Sequence, residues 1–582
     1  MTTSEEVPAG KGAEPAAAPS SDAETVRGGA LGAFVDRRAA VMLGLGFSSG
    51  LPNLLIFNTL SAWLRDSGLS LEVIGFFSLA TLSYSFKFLW APLLDRTSVP
   101  GLTRRLGHRR SWMLIAQFAV TLGLLAVSGS DPKGHLGAVA LFAVFTGFAS
   151  ATQDIVVDAW RIEAAEVARQ GAMAAAYQWG YRLSMVVAGA VPLILADRVG
   201  WHVSYASMAA LMLIGMGSVL LAPREAQHVI REIPTAGVRS NPALELLEWL
   251  GRLAILVLGA LLLGSGLSGH ADMLNSILGG LGLKDAGAAL KAAWAAKPDG
   301  IWLQLLGVAA GFAVIAVAAW PIPKVTTRPG LYLSKAFGEP LKDFFDRFGA
   351  RAALLILGLI CLYRLSDFVL NIMSPFYLDL GFTKTQIAEA QKVFGVVMSM
   401  IGVFAGGISV ARLGLMRSVL IGAFALPITN TIFAWLATRG PDFQSLLISI
   451  GVDNVVSGFA GTCLIAYMSS LTSAGFTATQ YALFSSLYSL PGKLIGSQSG
   501  RIVEGAAQTA QHGGVFAPLR GFFTGLPHTA YASALTKSHV EPSALGAGYM
   551  VFFFYSGLVG VASMILAVLV YRTQRSVRAR TS

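Results

Sequence analysis

A chain of 582 residues that is 54% hydrophobic and only 13% charged carries about half the charge of an ordinary soluble domain. Its apolar residues come in runs of about 20, the length that crosses a bilayer core as helix, and they lack the period-2 alternation that a transmembrane barrel requires. The net charge of +11 would suggest nucleic acid as the partner of a soluble protein. Here most of the 43 Lys and Arg fall in alternate inter-span segments, the bias that marks the cytoplasmic side, so the expected partner is the lipid bilayer and no nucleic acid.

Residues 1–36 are rich in Ala, Pro, Glu and Ser and lack an apolar h-region, which reads as a disordered cytoplasmic tail rather than a signal peptide. Spans are predicted at 39–63, 73–94, 112–130, 138–158, 172–196, 203–222, 253–268, 301–323, 352–377, 386–410, 418–437, 445–470, 479–503 and 546–571. This is an all-α polytopic membrane protein of about 14 transmembrane helices, and an even count places both termini in the cytoplasm. Residues 37–222 form an N-terminal six-helix half and 352–571 a C-terminal one. Between them, 223–351 holds cytoplasmic linkers, an inserted pair of helices that could also be one re-entrant hairpin, and an amphipathic interfacial helix carrying Leu333, Phe337, Leu341, Phe344, Phe345 and Phe348 on one face. The outer loop 504–545 carries no assigned chemistry, and 572–582 is a basic cytoplasmic tail.

A duplication underlies the two halves. Gly147-Phe148-Ala149 with Tyr177 and Arg182 recurs as Gly458-Phe459-Ala460 with Tyr488 and Lys493, 311 residues on. Asp66-x-Gly68-x-Ser70 with Ile74 recurs as Asp379-x-Gly381-x-Thr383 with Ile387, at a shift of 313. Matched halves of equal topology in an apolar chain point to two bundles that rock about a central site, and six plus six is the major facilitator layout.

In the first span, Gly46, Gly50 and Pro52 permit a bend and close helix contact, although ordinary small-residue packing explains the glycines equally. Between the second and third spans, Asp95 and Arg96 precede Arg109 and Arg110. A carboxylate at a helix end can pair with such arginines and latch the cytoplasmic side shut; the alternative is that the arginines only anchor the loop. Charges deep in spans are costly and need a partner or a wet cavity. They are Lys87, Asp154, Asp158, Arg182, Arg364, Asp367, Lys392, Asp453 and Lys493, all on spans that would line the cavity of a major facilitator. Asp154 and Asp158 share a helix face, and Arg364 and Asp367 can pair. Lys87, Arg182, Lys392 and Lys493 have no obvious local acid, which suits an anionic substrate; interhelical pairing, of Arg182 with Asp154 for example, is the competing account. Asp154, Asp367 and Asp453 could carry a proton or hold structural ion pairs.

The eight histidines all lie outside the spans, so neither a proton relay through them nor an intramembrane metal site is expected. No Walker loop, HExxH or dinucleotide fingerprint occurs in a suitable context, so no cofactor is expected beyond the proton gradient as energy source. A transferase would need clustered His, Asp or Ser at one face, which is missing, so an enzyme is not expected. Cys361 and Cys463 sit in apolar runs as packing residues.

Gly46-Phe47-Ser48-Ser49-Gly50-Leu51-Pro52, Trp90-Ala91-Pro92-Leu93-Leu94-Asp95-Arg96 and Ala151-Thr152-Gln153-Asp154-Ile155-Val156-Val157-Asp158-Ala159 together resemble the AmpG-type muropeptide permease family of the major facilitator superfamily. Tyr363-Arg364-Leu365-Ser366-Asp367 and Phe476-Thr477-Ala478-Thr479-Gln480-Tyr481-Ala482-Leu483 extend the resemblance. It implies a monomeric, proton-coupled carrier in the bacterial inner membrane. Such a carrier imports N-acetylglucosaminyl-1,6-anhydro-N-acetylmuramyl peptides for peptidoglycan recycling, with a link to β-lactamase induction and β-lactam resistance. On that resemblance Gln153 bonds substrate amides, Asp154 orders Arg182 or takes the proton, and Ala151, Tyr177, Asn371 and Tyr488 join the substrate-binding set. The alternative substrate is another large anion such as acetyl-CoA, and a non-transporting sensor on the same fold is a further alternative.

Overall fold

The computed structural model describes residues 36–67, 84, 87–134, 136–166, 169–224, 241–268, 271–296, 300–320, 327–496, 499–532, 534–537 and 539–581. The predicted head 1–36, except Asp36, and most of the second predicted span lie outside the described residues. Among the described residues every regular element is a helix.

The N-terminal half is built from α1 (Arg37–Leu54), which runs through a π segment (Leu55–Thr59) into α2 (Leu60–Asp66), then α3 (Ala91–Arg96), α4 (His108–Ser128), α5 (Leu136–Glu163) and α6 (Gln170–Leu221). Helix α6 has 52 residues but breaks at Gly200, whose φ of 84° suits only a residue without Cβ. The chain folds back there. Thr59 Oγ1 donates to Ala188 O at 3.0 Å, and Tyr205 OH donates to Leu55 O at 2.8 Å, so both arms of α6 lie against one turn of the first span. The predicted fifth and sixth spans are these two arms. Helix α1 meets the first arm backbone to backbone, because a Cβ on Gly46 would lie 2.2 Å from Tyr177 O and one on Gly180 1.9 Å from Leu43 O. Two facing glycines, rather than apolar side chains, bring these helices together.

The inserted pair is α7 (Pro242–Ser268) and α8 (Gly300–Ala319). The first of these starts 11 residues ahead of the predicted span at 253–268. The amphipathic helix is α9 (Arg328–Phe348), longer than its apolar stripe by one turn because Thr327 caps it by accepting from Gly330 N at 3.2 Å. It buries Leu333 and Phe344 and meets the next helical stretch at 111°.

The C-terminal half comprises α10 (Ala350–Leu362), α11 (Met373–Asp379), a π segment (Glu389–Phe394) continuing as α12 (Gly395–Leu413), α13 (Leu415–Ala437), α14 (Phe443–Ser470), α15 (Thr477–Gly496), α16 (Ser499–Gln511), α17 (Pro542–Val559) and α18 (Val561–Thr581). Among the described residues, eight helices are long and apolar enough to cross a membrane, nine if the bent pair starting at α9 is one span. The outer loop is not shapeless. Residues 499–511 form α16, and Phe523 and Tyr531 bury themselves against α17.

The duplicated landmarks have matching jobs. Asp66 accepts from Trp201 Nε1 at 2.7 Å, and Asp379 accepts from Tyr549 OH at 2.7 Å. Each aspartate ties the first span of its half to the last.

Candidate functional site

The halves are joined, among the described hydrogen bonds, toward one end of the molecule. Asp95 closes that end. It is fully buried at the end of α3 and receives Arg109 Nη2 at 2.6 Å. It also receives the backbone N–H of Ala478 (3.1 Å) and Thr479 (2.8 Å) and the Thr479 hydroxyl (2.6 Å). An N-half carboxylate thus caps the N-terminus of α15 in the other half, where the orphan N–H groups and the helix dipole favour negative charge. Arg109 is held from behind by Glu163 at 2.6 Å. One turn further in, Arg161 pairs with Asp158 at 3.2 Å and donates to Ser469 Oγ of the C-terminal half at 2.8 Å. Gln178 Nε2 donates to Thr462 Oγ1 at 2.6 Å, and Trp179 Nε1 to Met400 O at 3.0 Å.

Helix α9 straps this closure from outside. Glu339 pairs with Arg96 at 2.8 Å, while Asp343 accepts from Ser473 Oγ at 2.8 Å and Gln480 Nε2 at 3.0 Å. Arg110 donates to Val219 O and Leu220 O at the end of α6 and so secures the N-terminal half internally.

Away from the gate the polar residues of the two halves meet. Asp154 lies within electrostatic reach of Lys87 and Asp158, among Tyr84, Tyr177 and Tyr181. Tyr181 accepts from Asn53 Nδ2 at 2.8 Å. Arg182 lies close enough to Arg364 for the two guanidiniums to repel, and it has no ion-pair partner among the described residues. Arg364 pairs with Asp367 at 2.7 Å and donates to Ser457 Oγ at 2.7 Å, with Tyr488 in electrostatic reach. Beyond them a cavity of about 250 Å³ opens inside the C-terminal half, lined in part by Arg364, Asp367 and Asp453.

Several expectations change. Lys87 is not without a local acid, since Asp154 stands beside it. Arg182 is not the partner of Asp154; it faces Arg364 instead. Gln153 is fully buried and donates its Nε2 to Ser48 Oγ (2.9 Å) and Ser49 Oγ (3.3 Å), packing α5 on α1, while its Oε1 has no hydrogen-bond partner among the described residues. Ala151 is fully buried too. Lys392 is exposed. It lies in the π segment 389–394, ahead of the Gly395–Gly402 stretch of α12 that packs against α14. Gly46 and Gly50 lie at the contact with α6, and Pro52 sits inside α1 just ahead of its π segment. The side chains of Asn371 and Lys493 lie outside the described residues.

Arg161, Glu163 and Glu339 were not singled out from the sequence, and Gln480 entered only as part of the 476–483 motif. Arg161 and Glu163 fall just past the predicted end of the fourth span, where charges look like anchors. For Arg161 the spacing from Asp158 was the available signal, since residues three apart on a helix share a face.

Residues 42–301 match the Major Facilitator Superfamily. The chain is similar to the putative transporter AmpG 4 of Rickettsia felis, 29% identical over 81% of this chain and 91% of that protein. It is also similar to the anhydromuropeptide permease of Escherichia coli K12, 30% identical over 81% of this chain and 75% of that one. A duplicated helical membrane protein whose halves close on one end, with this likeness over four-fifths of its length, belongs to the AmpG-type permease family of the major facilitator superfamily and is a transporter, not an enzyme.

Proposed function

We propose that this carrier imports anhydro-muropeptides from periplasm to cytoplasm, driven by the proton gradient, for peptidoglycan recycling and the β-lactamase induction tied to it. It acts as a monomer in the bacterial inner membrane, with both termini and the Asp95 end cytoplasmic, so the conformation described above faces outward. The substrate class comes from the likeness to the Escherichia coli permease. The observation that carries the reading is Arg182, a guanidinium without an ion-pair partner among the described residues, set against Arg364 where the halves meet. Asp367 already compensates Arg364, so Arg182 is the cation left to pair, and a stem-peptide carboxylate is an anion that suits it. Asp154 is the first candidate for the proton, because its Oδ1 is buried with no hydrogen-bond partner among the described residues. Asp453 and Asp367 are the candidates in the other half, whereas Asp158 is committed to Arg161.

Losing a charge-assisted hydrogen bond costs ~1.5–3 kcal/mol, so Arg182→Ala raises the half-saturating concentration for a peptide-bearing anhydro-muropeptide about ten- to hundred-fold in vesicle uptake. Arg182→Lys keeps the charge and recovers some of the loss. Unchanged uptake in Arg182→Ala would refute the anion site, and competition by acetyl-CoA but not by muropeptide would replace the substrate.

A further inference from the structure

The cavity of about 250 Å³ in the C-terminal half shares Arg364 with the carboxylate site just proposed, but Arg182 does not line it. Pockets that enclose a whole drug-sized ligand run from roughly 300 to 1,000 Å³, so this one has room for a ring-sized moiety. Its chemistry is specific. Asp453 and Asp367 face it, and Asp367 keeps Oδ1 unbonded among the described residues while Oδ2 receives Arg364 at 2.7 Å and Ser457 at 3.2 Å. Asn454 and Gln391 add two amides that both donate and accept. Tyr377 and Phe433 supply aromatic walls. Gln391 reaches the cavity from the π segment 389–394, a helix distortion that recurs at functional sites.

Arg364 is already paired with Asp367, so the lining offers an anion no uncompensated cation. The free Oδ1 of Asp367 is an acceptor for a hydroxyl donor, and the aromatic faces suit the C–H side of a sugar ring. The cavity also lies away from the Asp95 end, on the side from which an outward-facing carrier fills.

We propose that this cavity is the sugar subsite, holding one N-acetylhexosamine ring through Asp453, Asn454, Gln391 and the free oxygen of Asp367 while the peptide end reaches Arg182. This rests on the muropeptide reading and divides one substrate between the halves: sugar in the C-terminal half, peptide carboxylate at the junction.

Two probes separate these roles, the anhydro-disaccharide with its peptide and the same disaccharide without it, each measured for binding to purified carrier in detergent. Asn454→Ala and Gln391→Ala weaken both probes at least ten-fold, whereas Arg182→Ala weakens only the peptide-bearing one. Size-exclusion profiles matching the native protein show that the variants fold. Cavity variants that bind the peptide-free disaccharide as the native protein does would overturn the sugar subsite while leaving the substrate reading intact. Weakening confined to the peptide-bearing probe would assign the cavity to peptide instead. A native carrier that binds neither probe would overturn both readings.

Discussion

Asp95→Ala opens the gate. The side chain holds four donors from two halves of the molecule, one of them the buried Arg109. Breaking a buried ion pair by deleting one member costs ~3–5 kcal/mol when the survivor is stranded. Arg109 is not stranded, because Glu163 still holds it at 2.6 Å, and the loss falls on the α15 cap and the charge across the halves. A penalty of about 2 kcal/mol then remains against the closed-gate state, close to a thirty-fold shift in population. Spin labels at the exposed Arg104 and Arg412, one in each half, report it after Cys361 and Cys463 are replaced by Ser. The distance distribution moves to longer separations in Asp95→Ala, and to a smaller extent in Glu339→Gln, which loosens only the α9 strap on Arg96. A distribution identical to that of the unsubstituted labelled protein would mean that Asp95 is a local anchor and nothing more.

Gly180→Val prevents the N-terminal half from assembling. A Cβ there lies 1.9 Å from the carbonyl oxygen of Leu43, and the obstacle is backbone, which cannot rotate away as a side chain does. The facing Gly46 would meet Tyr177 O at 2.2 Å, so the contact is tight from both sides. Overpacking a side-chain core costs ~1–3 kcal/mol, and a backbone collision that forces a pair of helices apart lies at or above the top of that range. The expected result is loss of most of the monodisperse protein on extraction from the membrane. Gly217→Ala is the control, since a Cβ there meets nothing within 4 Å on the second arm of the same helix. Equal yields of Gly180→Val and Gly217→Ala would contradict the packing account.

The fold was legible because bilayer physics leaves few options for a chain so apolar, and because the duplication puts the same devices at one offset. Asp66 and Asp379 illustrate this, each tying the ends of its half together. The latch was only half legible: Asp95 and Arg109 stand out as a charged pair, but the α15 end that Asp95 caps lies 383 residues away at Ala478 and offers mainly backbone N–H groups. Nothing in a sequence marks a backbone donor. The cavity was less legible still. Counting charges by span ignores helix irregularities, and Lys392 shows the cost, since it is exposed and lies in a six-residue π segment that the sequence did not announce. Gln153 shows another limit, since the Ser48 and Ser49 hydroxyls that hold its Nε2 lie about a hundred residues away on another helix.

The most direct test of a carrier with a cation-bearing chamber between two rocking halves is accumulation. Purified protein is reconstituted into proteoliposomes with an imposed inward proton gradient and given radiolabelled anhydro-disaccharide peptide. The account predicts uptake above the external concentration, collapse by a protonophore, and loss in Arg182→Ala. Uptake that never exceeds equilibrium with the gradient in place, or accumulation that is the same with and without Arg182, would contradict it.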